Sequence, residues 1–251
     1  MEAKKIIITG AATRIGAAIA KSLGNFDVKI LLHYNKSSAE VKELKINLES
    51  LGAEIFLFKA NLNIINETKK IIPYAYKKMK GIDCLINNAS IFENDNIENF
   101  DEKKFDKHLN INLKSPSLLS RDFYKFTKKN KGNIINIIDQ RIFKLTPHFL
   151  SYTLSKTGLQ TLTKVSAMKF APNIRVNGVA PGPTLKNKRQ TEKHFKKQWQ
   201  ATLLKKKVET ENICSAIKFL IKNDNITGHI IPVDSGQNIA WLTPDIINIK
   251  E

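Results

Sequence analysis

Short apolar runs recur along the chain at KIIITG (5–10), VKILLHY (28–34), EIFLFKA (54–60), IDCLINNA (82–89), NIINIID (133–139), IRVNGVAPG (174–182) and HIIPVDSG (229–236), rich in Ile and Val and bounded by Gly, Asn or Asp. Runs of this length and composition predict strands. Between them lie longer segments of helical length and periodicity, at 14–24, 38–51, 64–79, 101–129, 151–170 and 209–222. Strand and helix alternate repeatedly. Continuous apolar strands, without apolar–polar alternation, imply a parallel sheet covered by helices on both faces, a doubly wound α/β fold.

A chain of 251 residues can bury one sizeable core, and no repeat or low-complexity linker divides it, so residues 1–251 read as a single domain. The irregular region is PGPTLKNKRQTEKHFKKQWQATLLKKK, whose Pro/Gly opening and basic, weakly apolar body predict a flexible substrate flap at about 183–205 with a short helix. The 41 Lys+Arg against 23 Asp+Glu, net +18, could mark a nucleic-acid or membrane surface. The basic residues are instead spread over the whole chain, without a dense block or interleaved aromatics, which reads as compositional bias and also suits an anionic dinucleotide or folate-like substrate. No nucleic-acid partner is expected. No window approaches the roughly 18 apolar residues of a membrane span, and MEAKKIIITG enters a strand at once, so the expectation is a cytoplasmic protein without membrane contact. Cys84 and Cys214 lack metal-type or CxxC spacing and read as packing residues; no metal site is expected.

Candidate chemistry begins in the first βα turn, ITGAATRIGAAIA. Gly10 ends the strand and Gly16 lies in the following helix, where a missing side chain allows close approach and the helix N-terminus faces a phosphate. Arg14 suits bidentate phosphate contact. At the end of the second strand no Asp or Glu is present to bind ribose hydroxyls and repel a 2′-phosphate; His33, Asn35, Lys36, Ser37 and Ser38 supply donors and positive charge, which favours NADP(H) over NAD(H). Ser37 or Ser38 could equally cap the next helix. Tyr152 and Lys156, four apart on a helix, share a face, so the ammonium should lower the phenol pKa from its usual value near 10 and make Tyr152 a proton donor near neutrality.

TGAATRIG at 9–16, NNAS at 87–90, INL at 111–113, YTLSK at 152–156 and VNGVAPGPT at 176–184 together resemble the short-chain dehydrogenase/reductase family, in order and spacing, over nearly the whole chain. The resemblance implies a Rossmann-like single domain with seven parallel strands, commonly a homotetramer, that transfers hydride to or from NAD(P). It implies that Tyr152 and Lys156 are catalytic, that Lys156 also holds the nicotinamide ribose, and that Asn112 anchors a water chain to Lys156. Carried over position by position, it places the cofactor along Gly10, Thr13, Arg14, Ile15 and Gly16; His33, Tyr34, Asn35, Lys36, Ser37 and Ser38; Asn61 and Leu62, with Asn61 where the family usually has an adenine-contacting Asp; Asn88, Ala89 and Ser90; Tyr152 and Lys156; and Pro181, Gly182 and Thr184.

One position departs from the family. Asp139 stands where most members have a Ser, immediately after the apolar pair Ile137-Ile138, where a carboxylate is costly to desolvate without partners or a task. An Asp here resembles the pteridine reductase branch and the related dihydromonapterin and dihydrofolate reductases. Arg14, the HY pair at 33–34 and NNASIF, whose Phe92 matches a pterin-stacking aromatic, resemble the same branch. That branch implies substrate contacts from Arg14, Ser90, Phe92, Asp139 and Tyr152. An acid beside Tyr152 suits reduction of a ring C=N, because the acceptor nitrogen needs a proton as hydride reaches carbon. Burial would raise the Asp139 pKa and Lys156 would lower it. Alternatively Asp139 bonds loop amides.

His148 could touch substrate or be solvated, and Arg141 could pair with Asp139 or with a substrate carboxylate. The apolar tail around Trp241 and Leu242 could enter a neighbouring subunit's site or cover the sheet edge. Apolar residues beyond one stripe in 101–129 and 151–170 imply a partner subunit, and the family resemblance implies that the assembly is a homotetramer. The preferred function is NADPH-dependent reduction of a pterin or dihydropterin, of the dihydromonapterin, dihydrobiopterin or dihydrofolate type. The alternatives are a reductase of another carbonyl or imine and, more remotely, a non-catalytic NADP-binding or nucleic-acid-binding protein.

Overall fold

A computed structural model of the chain describes residues 4–25, 27–128, 130–187 and 189–240. The apolar tail at Trp241 and Leu242 lies outside the described residues. Seven strands form one sheet: β1 (Lys5–Ile8), β2 (Lys29–Tyr34), β3 (Glu54–Lys59), β4 (Cys84–Asn87), β5 (Gly132–Ile137), β6 (Ile174–Pro181) and β7 (Ile230–Val233). Their order is β3-β2-β1-β4-β5-β6-β7 and every described pairing is parallel. The chain leaves the edge at β3 and re-enters beside β1 at β4. The carboxyl ends of β1 and β4 therefore diverge, and a crevice opens between them.

The apolar strands serve two cores, because successive side chains point to opposite faces. Ile6, Ile8, Ile30 and Leu32 pack with Cys84 and Ile86 against α1 (Arg14–Leu23), α2 (Ser38–Glu49) and α9 (Thr210–Lys222). Ile7, Leu31, Leu85, Ile134 and Val176 point the other way, toward α4 (Ile71–Met79), α6 (Ser115–Thr127) and α7 (Leu150–Phe170). Both cysteines are buried and free, as packing residues should be, and burial pushes the Cys84 thiol up to about 12.

Two predicted helices are broken. The 64–79 segment divides into α3 (Ile65–Thr68) and α4, with Pro73 accommodated in the first turn of α4. The 101–129 segment divides into α5 (Glu102–Leu109), a π-turn at Asn110–Lys114, and α6. In the π-turn Ser115 N donates to Asn110 O, five residues back. Pro116 has no N–H, so the Asn112 carbonyl loses its ordinary helical donor and the turn widens there. The flap carries α8 (Glu192–Gln200), capped by Thr191 Oγ1 accepting from His194 N.

Candidate active site

The crevice at the strand carboxyl ends holds a cleft of about 930 Å³. Its floor is the β1–α1 turn. Gly10 has a φ of +62°, and a Cβ on it would meet Ala89 Cα at 2.9 Å; a Cβ on Gly16 would meet Gly10 O at 2.1 Å. Asn88 Nδ2 donates to Thr9 O at 2.9 Å and Gly10 O at 3.1 Å, while Thr9 Oγ1 accepts from Asn88 N and Ala89 N. The NNA segment thus clamps the turn. Thr13, the N-cap of α1, makes no side-chain capping bond and the first turn holds no acid, so its N–H groups and dipole suit an anionic group. This shape and donor set fit a dinucleotide pyrophosphate.

Arg14 opens α1 at φ +54°, a conformation costly for a side chain, which is why glycine suits this position. Its guanidinium donates to Leu185 O at 3.1 Å and Lys186 O at 3.0 Å, tying the helix N-terminus to the flap.

His33 requires a correction, because it supplies no positive charge to the cofactor. The imidazole is 2% exposed; Nδ1 accepts from Gly10 N at 3.1 Å and Nε2 faces Ala60 O at 3.1 Å. Those partners assign the proton to Nε2. Burial lowers its pKa to about 4, against a backbone hydrogen bond to Ala60 that acts the other way. The group is neutral and props the glycine turn. Because its folded pKa lies below the unfolded value of 6.5, the unfolded chain takes up the proton first. The contribution of His33 is full above pH 6.5 and is lost as pH falls toward about 4, by about 3 kcal/mol in total. Melting temperatures across that window should flatten in His33→Gln, and an unchanged acid slope would refute the assignment.

The reacting end is built from β5 and α7. Tyr152 is 6% exposed and Lys156 2%. The Tyr152 hydroxyl donates to Asp139 Oδ2 at 2.7 Å, and Arg141 N donates to Asp139 Oδ1 at 2.9 Å. Lys156 Nζ donates to Ile137 O at 2.8 Å and lies 5.7 Å from the Tyr152 ring centroid. Burial raises the Asp139 pKa, outweighing the Arg141 N–H, the Tyr152 hydroxyl and the Arg141 and Lys156 charges. The competition left open by sequence is thereby resolved. The expected lowering of the Tyr152 pKa is corrected: burial and then the neighbouring Asp139 charge raise it well above 10. Burial also brings Lys156 down to about 8, with Asp139 opposing. The arrangement sets a buried carboxyl of raised pKa in hydrogen-bond contact with the Tyr152 phenol.

Two supports of this end were missed by sequence reasoning. Asp95 is buried and holds the start of α7: its carboxylate accepts from Ser151 N at 3.1 Å and from Ser151 Oγ, and its carbonyl accepts from Phe149 N at 2.7 Å. Phe149 precedes α7 at φ +62° and stacks on Phe92, centroids 4.3 Å apart and planes at 14°. Phe92 also meets Tyr152 edge-on at 4.6 Å. The Asx-rich run after Phe92 and the Phe beside His148 were the available signals.

Asn112 sits behind the cleft. Its Oδ1 accepts from Ser90 Oγ and Ile91 N, and its Nδ2 donates to Ile91 O and Ser155 Oγ, so all four amide bonds are used. It fixes the β4 loop against α7. Gly10, Thr13, Arg14, Ile15, Gly16, His33, Asn35, Asn61, Leu62, Asn88, Ala89, Ser90, Phe92, Asp139, Tyr152, Lys156, Pro181, Gly182 and Thr184 all line the cleft. Tyr34, Lys36, Ser37 and Ser38 lie outside its lining, and Ser37 occupies the α2 N-cap without a side-chain bond. His148 is exposed at the lining, and Arg141 Nη1 donates to Thr146 Oγ1 rather than pairing with Asp139. The amide oxygens of Gln140 and Gln237, both cleft residues, are buried without a partner, which suits a ligand bearing N–H or O–H donors.

The model of the short chain dehydrogenase family matches residues 4–217. An uncharacterized oxidoreductase of Thermotoga maritima is 30% identical over 248 residues, covering 94% of this chain and 97% of its own. Human dehydrogenase/reductase SDR family member 4 is 28% identical, covering 93% and 87%. Among solved structures, FolM alternative dihydrofolate reductase 1 from Brucella canis, complexed with NADP, has a TM-score of 0.92 at 36% identity, covering 96% of each chain. A Burkholderia cenocepacia short chain dehydrogenase in complex with NADP, 23% identical with a TM-score of 0.88 over 94% of this chain and 98% of its own, shares the fold.

Proposed function

The chain belongs to the short-chain dehydrogenase family, and within it we propose that it is an NADPH-dependent reductase of a pterin or dihydropterin. The observation that carries this reading is the bond from Tyr152 to Asp139, an acid of raised pKa where a hydroxyl would serve carbonyl chemistry. The likeness to FolM alternative dihydrofolate reductase 1 supports it. NADP(H) is the cofactor, and when bound it supplies the hydride. The β1–α1 turn and the α1 N-terminus would hold its pyrophosphate, while Tyr152 and Lys156 would meet the nicotinamide ribose.

The chain's own residues handle the proton. Asp139 in its neutral form gives one proton to the ring nitrogen, and the carboxylate left behind is held by the Tyr152 hydroxyl and Arg141 N. Lys156, fixed by the Ile137 carbonyl, adds positive charge beneath the phenol. Phe92 presents an aromatic surface to a flat ring.

The test is NADPH oxidation followed spectrophotometrically with dihydrofolate, dihydrobiopterin, dihydromonapterin, folate and a panel of ketones. Turnover of at least one pterin, and not of the ketones, is expected; turnover of ketones alone would overturn the reading. NADPH should bind at least about tenfold more tightly than NADH, roughly 1.4 kcal/mol, since no acid ends β2 to repel a 2′-phosphate. Equal dissociation constants by fluorescence titration would contradict this cofactor assignment.

A homotetramer completes the proposal. Leu154, Val165 and Met168 fall on one face of α7 and are exposed, Met168 by 82%, so an apolar stripe awaits a partner subunit. Light scattering at micromolar concentration should give about four times 28.4 kDa, and a monomer would refute it.

A further inference from the structure

Beside the reacting end, two arginines from separate segments converge on the same pair of rings. Arg141, from the loop after β5, lies 4.8 Å from the Phe149 centroid and 5.7 Å from that of Phe92. Arg189, from the flap, lies 5.1 Å from Phe92 and 5.3 Å from Phe149. Each is anchored by one side-chain bond, Arg141 Nη1 to Thr146 Oγ1 at 3.1 Å and Arg189 Nη2 to Phe92 O at 2.9 Å. Two like charges held against one aromatic stack repel each other unless an anion joins them.

Among the described residues no carboxylate forms an ion pair with either guanidinium. The acids around the cleft are otherwise engaged: Glu93 with Lys107, Glu192 with Lys186, Asp95 with Ser151, and Asp139 with Tyr152 and Arg141 N. Both arginines line the cleft itself. A guanidinium bonds a carboxylate through two parallel N–H groups, while its flat face rests on an aromatic ring.

We propose that Arg141 and Arg189 form a carboxylate-binding subsite at the aromatic wall, which selects a dihydropterin carrying an aromatic, carboxylate-terminated tail, of the dihydropteroylglutamate kind, over pterins with short neutral side chains. The proposal rests on the pterin reading and narrows it. The Phe92–Phe149 pair borders the tail's aromatic part, and the arginines take its charge. A short hydroxylated side chain leaves both cations unused.

The experiment compares kcat/KM for dihydrofolate and dihydrobiopterin in the wild type, Arg189→Gln, Arg141→Gln and the double variant. The readout is the ratio of the two substrates, so a general loss of activity in one protein cancels. The wild type should favour dihydrofolate, and each single variant should lower that ratio about tenfold, the scale of one charge-assisted bond. Added salt should raise the wild-type KM for dihydrofolate and leave that for dihydrobiopterin unchanged. A ratio unchanged in both single variants, or a wild type favouring dihydrobiopterin, overturns the subsite while the pterin reading stands. A wild type that reduces neither substrate overturns the subsite, and the pterin reading falls with it only if dihydromonapterin and folate are inert as well. Arg189→Lys, which keeps the charge but not the fork, should fall between wild type and Arg189→Gln; a ratio equal to that of Arg189→Gln in a normally melting protein would exclude charge as the cause.

Discussion

Asp139→Asn should keep NADPH binding and lose roughly 100-fold or more in kcat on every dihydropterin that the wild type reduces. The amide oxygen can still accept from Arg141 N, and the NH2 group in the place of Oδ2 can donate to the Tyr152 oxygen, across contacts of 2.9 and 2.7 Å in the wild type, so the local geometry should largely survive. What disappears is a proton that can leave. Tyr152 does not replace it, because burial holds its pKa far above neutrality whether or not the Asp139 charge adds to the effect. Tyr152→Phe should also be severe, since it strips the carboxylate of its 2.7 Å donor, and the double variant should lose less than the two losses combined, because both residues serve one proton transfer. Asp139→Ser should not restore pterin reduction.

The pH profile carries the same signature with a definite sign. Asp139 acts in its neutral form, so wild-type kcat should fall as pH rises through its raised pKa, and this limb should vanish in Asp139→Asn. Near-normal turnover in the variant, accompanied only by a lower melting temperature, would make Asp139 a structural acid and remove the main support for a pterin substrate.

Gly16→Ala should cost about 3 kcal/mol or more and weaken NADPH binding beyond about 100-fold. The added Cβ would lie 2.1 Å from Gly10 O and 2.7 Å from Asn88 Nδ2. Neither neighbour can yield cheaply. Gly10 is itself pressed against Ala89 at positive φ, and Asn88 Nδ2 is bound to the carbonyls of Thr9 and Gly10. Relief therefore requires α1 to move off the turn whose N–H groups face the pyrophosphate. Melting should drop by roughly 10 °C, and fluorescence titration should show the affinity loss. Wild-type melting and affinity together would show that the turn is looser than its contacts imply.

Much of this architecture is local in origin. Seven apolar runs and the helical segments between them specify a doubly wound sheet, because a strand covered on both faces has no polar side to display, and Ile6, Ile7 and Ile8 duly divide between the two cores. Tyr152 and Lys156 were likewise legible as a pair, since four residues on a helix share a face whatever the surroundings. The break within 101–129 was written in Pro116, but the apolar pattern runs through it unchanged, and only the backbone bonding of the π-turn reveals it.

The electrostatics of the site belong to the tertiary structure. His33 looked like a cation for a phosphate until packing placed it between Gly10 N and Ala60 O, far away in sequence, where neutrality is enforced by burial. For Asp139 and Tyr152 the sequence supplies the competing influences, a burying apolar run and a nearby lysine, without their relative size. Desolvation depends on how completely chain from elsewhere excludes water, and here it wins at both residues, raising both pKa values. Asp95 and Phe149 were missed for the same reason: their roles consist of contacts with α7 and Phe92, across more than fifty residues of chain, and no local pattern encodes such contacts.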